Sequence, residues 1–156
     1  SLVNIIRGTG ATNVIQLPGL AYANMVACSN TGNPVSCGFL DAADGVRVTD
    51  PMFPTSPQLM ADMDVYPDAN QDCDTPTCYN DTMAPVMANM PLDLGEIGPN
   101  GSTTTNTQAL LTWMDSKGGS YYAWVWDTWG SLISNYNGSP DSPWGVEYKA
   151  RLTGAG

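Results

Sequence analysis

Pro91-Leu92-Asp93-Leu94-Gly95-Glu96-Ile97-Gly98 and, about one helix later, Tyr121-Tyr122-Ala123-Trp124-Val125-Trp126-Asp127 are the two stretches whose reading decides the fold. Each reads as a short apolar strand. The first ends in a carboxylate between glycines, where bare backbone lets a ligand approach closely. The second ends in tryptophans. Glu96 and Glu147 are the two glutamates of the chain, so Glu96 is a well-isolated candidate acid. For the first stretch alone, a turn with a solvated glutamate is an equally good reading; the tryptophan strand tips the balance towards a site.

Working outward, the same alternation of strand and helix recurs. Leu2, Val3, Ile5 and Ile6 fit the last turns of a helix that Gly8 and Gly10 end. Asn13-Val14-Ile15-Gln16-Leu17 reads as a buried strand stopped by Pro18-Gly19, and Ala21 to Ala27 as a short helix. A loop follows from Cys28 to Pro57, long enough to have a task such as shaping a cleft. Gln58 to Tyr66 is the next strand, ended by Pro67. Thr82 to Met90 is a helix with Pro85 in its first turn. Thr107 to Ser116 has Ala109, Leu110, Trp113 and Met114 at helical spacing, closed by Lys117-Gly118-Gly119, and Trp144 to Leu152 is the final helix. Alternating elements favour parallel strands with crossovers: an α/β fold of four strands, either an open sheet or half of an eight-stranded barrel. Patterning by itself does not separate the two.

At 156 residues the chain has the length of a single domain, read here as one half-barrel over residues 1–156. Sixteen glycines and twelve prolines imply many turns. A net charge of −10 with five unclustered basic residues argues against nucleic acid and anionic membranes as partners. No apolar run approaches the ~20 residues needed to span a bilayer. Ser1-Leu2-Val3-Asn4 shows neither a basic start nor a cleavage pattern. It opens inside a helix-like segment, as expected of a mature product or a piece of a longer chain.

The cysteines fall into two close pairs, Cys28 with Cys37 and Cys73 with Cys78. Local disulfides in a secreted protein are the favoured reading. A four-cysteine zinc site is the rival; with no histidine and wide spacings it is the weaker one. Asn80-Asp81-Thr82, Asn100-Gly101-Ser102 and Asn137-Gly138-Ser139 match the glycosylation acceptor pattern, which is common by chance.

In parallel barrels, catalytic groups sit at the carboxyl ends of the strands. Three strand ends carry candidates: Asp64 with Tyr66, then Glu96, then Trp124 with Trp126. Residues two apart on a strand share a face, so Tyr122, Trp124 and Trp126 are expected to point the same way. A carboxylate beside an indole and a phenol suits sugar hydrolysis: the sugar stacks on the indole, and the carboxylate attacks or stabilises an oxocarbenium-like centre. Read singly, Tyr66 and either tryptophan serve equally well as core, and Asp64 as a solvated loop acid.

These residues resemble the C-terminal half of glycoside hydrolase family 5, the cellulase family of retaining (β/α)8 barrels, over nearly the whole chain. Residues 11–19 (ATNVIQLPG) are similar to its fifth strand and 63–66 (MDVY) to the sixth, where the family has His-x-Tyr. Residues 91–98 are similar to the seventh, and 121–130 followed by 144–152 to the eighth strand and closing helix. The resemblance implies a (β/α)4 half of a TIM barrel, strands five to eight, acting on β-linked glucan. In it Glu96 is the nucleophile, Tyr66 its hydrogen-bond partner, and Trp124, Trp126 and Trp129 the sugar platform. It implies no cofactor and no metal.

Two departures bear on activity. The family's acid/base glutamate lies in an Asn-Glu-Pro motif that this chain lacks. Asp64 stands in the place of the family's histidine, a like charge beside the nucleophile that raises one carboxyl pKa. A retaining mechanism needs two carboxyl groups about 5–5.5 Å apart. The expectation is therefore a second half-barrel, from a preceding segment or a second copy in a homo-oligomer, because a four-stranded half leaves sheet edges unpaired. The alternatives are a carbohydrate-binding protein that lost the acid and a structural extracellular assembly protein.

Overall fold

A computed structural model of the chain describes residues 1–18, 23, 40, 41, 45, 46, 49–67, 73–99, 101, 103–129 and 132–154. Helix α1 (Leu2–Gly8) is capped by the Ser1 hydroxyl, which accepts from the Asn4 N–H. Strand β1 (Ile15–Pro18) follows. Two short strands, β2 (Leu40–Asp41) and β3 (Gly45–Val46), pair antiparallel inside the stretch expected to be an unbroken loop. Strand β4 (Leu59–Val65) comes next. The helical stretch α2 (76–87) begins earlier than expected and is wound as a π turn through Tyr79–Met83, with Pro85 in the first turn of its last part, Ala84–Met87. Strand β5 (Leu92–Ile97), helix α3 (Thr105–Lys117), strand β6 (Ser120–Ala123) and helix α4 (Trp144–Leu152) complete the order. The helix expected over Ala21 to Ala27, and Cys28 and Cys37, lie outside the described residues.

Four strands form one parallel sheet in the order β1-β4-β5-β6, with Ile15 opposite Leu59 and Leu17 opposite Ala61. Alternation explains β4 directly. Leu59, Ala61, Met63 and Val65 are buried, while Met60, Asp62 and Asp64 are half-buried on the other face. The larger three, Leu59, Met63 and Val65, each contribute roughly 1.5–3 kcal/mol by their burial.

The chain divides into two compact units, Ser1–Met63 with Thr77–Asp93, and Asp64–Pro76 with Leu94–Gly156. The first is anchored by Arg7, buried although charged. Its Nε and Nη2 donate to Asp50 at 3.0 and 2.8 Å, Nη1 to the carbonyls of Ala11 and Asn13, and Nη2 to that of Gln58. Asp50 in turn accepts from the N–H groups of Met52 and Gln58. The Arg7 bonds, helped by those two N–H groups, hold the Asp50 carboxyl at about 2, against the pull of burial. One side chain thus fixes the approach to β1 and the start of β4.

In the second unit, α3 buries Thr107, Leu110, Leu111 and Met114, a stripe at helical spacing. Gly118, at φ 70°, ends α3 in the left-handed conformation, its N–H donating back to the carbonyl of Asp115. Lys149 and Arg151 fall in the last turn of α4, where positive charge suits the helix dipole. Cys73 and Cys78 are joined in a disulfide, which removes the zinc reading for that pair. Asn80-Asp81-Thr82 lies in the π turn with Asn80 exposed and Thr82 buried, the Thr82 hydroxyl donating to the Cys78 carbonyl. Among the described residues no helix is long and apolar enough to cross a membrane.

Candidate functional site

Glu96 occupies the next-to-last position of β5 and Tyr66 follows the last residue of β4; both are half-buried. The Tyr66 hydroxyl donates to Glu96 Oε2 at 2.5 Å. A phenol O–H on a carboxylate is a charge-assisted bond, and it fixes one oxygen while leaving the other for a second partner. The tryptophan segment reaches the same place through its backbone. The Trp124 N–H donates to the carbonyl of Ile97 at 2.8 Å. A side-chain carbon added at Gly98 would sit 3.1 Å from the Trp124 carbonyl oxygen and 3.5 Å from the Tyr66 ring. Gly98 is therefore glycine because phenol and tryptophan backbone close over it. The indole of the buried Trp144 supports Trp124 from behind, its Nε1 donating to the Trp124 carbonyl at 3.4 Å.

One expectation needs correction. The strand ends at Ala123, three residues before Trp126, and the Trp124–Val125 peptide is cis. Exposure nevertheless alternates as expected beyond the strand: Tyr122, Trp124 and Trp126 are exposed, with Ala123 and Val125 half-buried between them. Tertiary contacts add to this: Trp124 lies beside Ile97 and Gly98, and the Trp126 ring against Gly138, where an added side-chain carbon would lie 3.6 Å from it. Trp124 is 39%, Trp126 68% and Trp129 74% exposed, so none of the three is core. Asp64 lies two residues before Tyr66, half-buried on β4. Glu147, the other glutamate, is engaged elsewhere: its Oε2 accepts from Gln108 on α3 at 3.1 Å. Among the described residues, no group of three or more metal-ligating side chains occurs.

Three features escaped the sequence reading. Asp127 accepts from the N–H of Thr128 at 2.5 Å and from the Tyr136 hydroxyl at 3.1 Å. Burial works against its charge, but those bonds and one from the Trp129 N–H outweigh it and hold the carboxyl below its ordinary value. Asp-Thr-Trp after an aromatic run was the available signal, an Asp suited to bonding the backbone just ahead of it. The second feature is Asp93, wholly buried on β5 with Oδ2 accepting from Gln16 at 2.6 Å and Oδ1 unpartnered. Burial pushes its carboxyl up, the Gln16 amide opposes this, and the charge of Asp62 adds to the rise. The third is a cavity of about 490 Å3 at the amino ends of β4 and β5, walled by Pro51, Pro54, Pro57 and Met90. No candidate catalytic side chain lines it.

Neither a family model nor a curated relative matches the sequence. Among solved structures, the β-glucanase SdGluc5_26A from Saccharophagus degradans, in complex with cellotetraose, superposes with a TM-score of 0.64 at 16% identity. The match covers 99% of this chain and 45% of the glucanase. The fold is similar to part of a glycoside hydrolase barrel. The chain spans less than half the length of that glucanase, and the likeness is one of fold.

Proposed function

We propose that this chain is the carboxyl-terminal part of a retaining glycoside hydrolase acting on β-linked glucan. Glu96 is the nucleophile, Tyr66 orients it, Trp124 floors the cleavage position, and Trp126 and Trp129 extend the platform. The observation that carries the reading is the Tyr66–Glu96 bond at 2.5 Å beside the Trp124 backbone. It brings together a carboxylate, a phenol and an indole-bearing segment from three parts of the sequence, the set that attack at an anomeric carbon calls for. Asp64, half-buried on β4 two residues before Tyr66, stands in the place of the family's histidine. The acid/base group comes from a second half-barrel, an amino-terminal segment or another copy, which also completes the sheet into a (β/α)8 barrel over a single domain. The Cys73–Cys78 disulfide supports secretion.

The test exploits the missing acid. A glucoside with a strongly acidic phenol as leaving group departs without protonation, so Glu96 alone can form the glycosyl ester. Intact-mass measurement of the 156-residue chain mixed with such a 2-fluoro glucoside should show one added glycosyl group. Glu96→Gln should show none. An adduct retained in that variant, or none in the native chain, removes Glu96 as nucleophile.

A second reading, glucan binding without turnover, is favoured by one observation: the remaining glutamate is committed to Gln108. Tryptophan fluorescence that responds to cello-oligosaccharides, with no adduct and no hydrolysis, would select it.

A further inference from the structure

Asp93 is an ionisable side chain in surroundings that suit a neutral one. It is wholly buried on β5, between Leu92 and Leu94, which are buried on the opposite face. Its Oδ2 accepts from the Gln16 amide at 2.6 Å, and its Oδ1 meets no donor. Its neighbour on the next strand is a second carboxyl. The Ala61 N–H donates to the Pro91 carbonyl at 2.8 Å. Pro91 has no N–H to return a bond, so this parallel-ladder contact sets Ala61 level with Leu92, and hence Asp62 level with Asp93. Level residues on adjacent strands share a face, with their backbones about 4.8 Å apart. Gln16 stands opposite Met60, two residues before Asp62 and so on the same face, and its side chain passes over β4 to reach Asp93. Three strands thus bring two carboxyl groups and one amide together, and all three residues fall within the first compact unit.

Two neighbouring carboxyl groups, one of them closed to water, do not both ionise. A neutralising partner is missing. Strand β1 carries no ionisable side chain; β4 has Asp62 and Asp64, β5 has Glu96, and β6 has Tyr121 and Tyr122. Of these, Asp62 is the group whose charge acts on Asp93, and among the described residues no basic side chain does. We propose that Asp62 and Asp93 hold one proton between them, and that this proton makes a pH-sensitive clasp joining β1, β4 and β5. With the proton in place, the pair carries a single charge and gains the O–H donor that two facing acceptors lack, while Oδ2 keeps the Gln16 bond. Once it leaves, two like charges face each other and Oδ1 is a buried acceptor with nothing to accept. The Asp93 carboxyl is shifted in the sense this requires. Burial raises it most, the Gln16 amide opposes the rise, and the Asp62 charge adds to it. The clasp therefore contributes fully below the ordinary carboxyl value and is lost as pH climbs through the raised one. Strand β4 leads to Tyr66 and β5 to Glu96, so the proton steadies the two strands that carry the candidate site. The clasp needs only its own three residues and stands whether or not Glu96 is a nucleophile.

The test follows the aspartate carboxyl carbons by NMR in the full chain, made with isotope-labelled aspartate and titrated over the pH range in which it stays folded. Assigned through its own backbone, the Asp93 signal needs no substitution. It should still report a protonated carboxyl where ordinary aspartates have ionised. Asp62→Asn removes the like charge and should lower the proton affinity of Asp93 roughly tenfold. Gln16→Ala removes the opposing bond and should raise it. Urea melts give a second readout: the native chain should lose stability over the interval in which Asp93 titrates, and Asp62→Asn should lose less. An Asp93 carboxyl that ionises together with the ordinary aspartates overturns the clasp. So does a titration, or a loss of stability with pH, that Asp62→Asn leaves in place.

Discussion

Gly145, in the first turn of α4, offers the sharpest test of how the tryptophan segment is supported. A side-chain carbon there would lie 2.0 Å from the Leu132 carbonyl oxygen and 2.8 Å from its carbonyl carbon, both backbone atoms. Restoring ordinary contact requires a shift of roughly 1 Å or more in a close-packed region. The Leu132 carbonyl is not free to give way, since it accepts from the Asp141 N–H at 3.1 Å and the adjoining Ile133 is bridged to Pro140. Overpacking of this kind costs about 3 kcal/mol, the upper end of its range. Replacing a helical glycine by alanine returns at most about 1 kcal/mol through helix propensity, less in a first turn. Gly145→Ala should therefore be destabilised by about 2 kcal/mol or more, a fall of roughly 4–8 °C in Tm for a chain this size. Thermal melts followed by far-ultraviolet circular dichroism measure it, with Val146→Ala as the control. Val146 is 47% exposed, so that change should stay within about 0.5 kcal/mol. Because Trp144 precedes Gly145 and bonds the Trp124 carbonyl, the near-ultraviolet tryptophan signal should change too. A Gly145→Ala protein that melts at or above the native temperature would refute the close approach of α4 to Leu132 and the support of Trp124 built on it.

Three further outcomes are expected. The Asp50 carboxyl is depressed from 3.8 to about 2, so its bond with Arg7 contributes fully above the unfolded value and is lost as pH falls through that interval. Acid titrations of stability should show this loss, and Asp50→Asn should flatten it; an identical slope in the variant contradicts the pairing. Asp93 has the opposite sign: its folded carboxyl is raised above 3.8, so stability declines as pH climbs from there through the folded value. Asp93→Asn should remove that decline and be at least as stable as the native chain at pH 7 in urea, whereas a large destabilisation would mean the carboxylate is needed charged. Tyr66→Phe deletes one bond to a half-buried carboxylate, about 1.5 kcal/mol at that exposure, and should slow glycosylation of Glu96 roughly tenfold without changing Tm by more than a few degrees. An unchanged rate would leave Tyr66 a packing residue.

Much of the architecture was legible because it rests on periodicity, which is local. The stripe at Leu110, Leu111 and Met114 and the stop at Gly118 marked α3, and the strand from Leu92 to Ile97 stood out between proline and glycine. Alternating strand and helix then implied parallel strands, and the sheet order β1-β4-β5-β6 agrees. Where the signal was weaker than the packing, the reading slipped. The run to Asp127 looked like a continuous strand because aromatic and β-branched residues favour strands, yet β6 stops at Ala123. Cys73 and Cys78 lie close enough in sequence for their bond to be anticipated.

By itself, then, the sequence determined the four strands of the main sheet and the helices α1, α3 and α4, their order, the parallel sheet and the isolation of Glu96, all set by interactions spanning a few residues. Only the tertiary structure decided that Tyr66, 30 residues away, donates to that glutamate, that Arg7 meets Asp50 across 43 positions, and that Asp127 joins Tyr136 to the tryptophan turn. A hydrogen bond between distant side chains leaves no periodic trace in a chain. It exists only once the fold has brought both groups to one place, and for Arg7 and Asp50 once burial has also removed the water that each would otherwise bind.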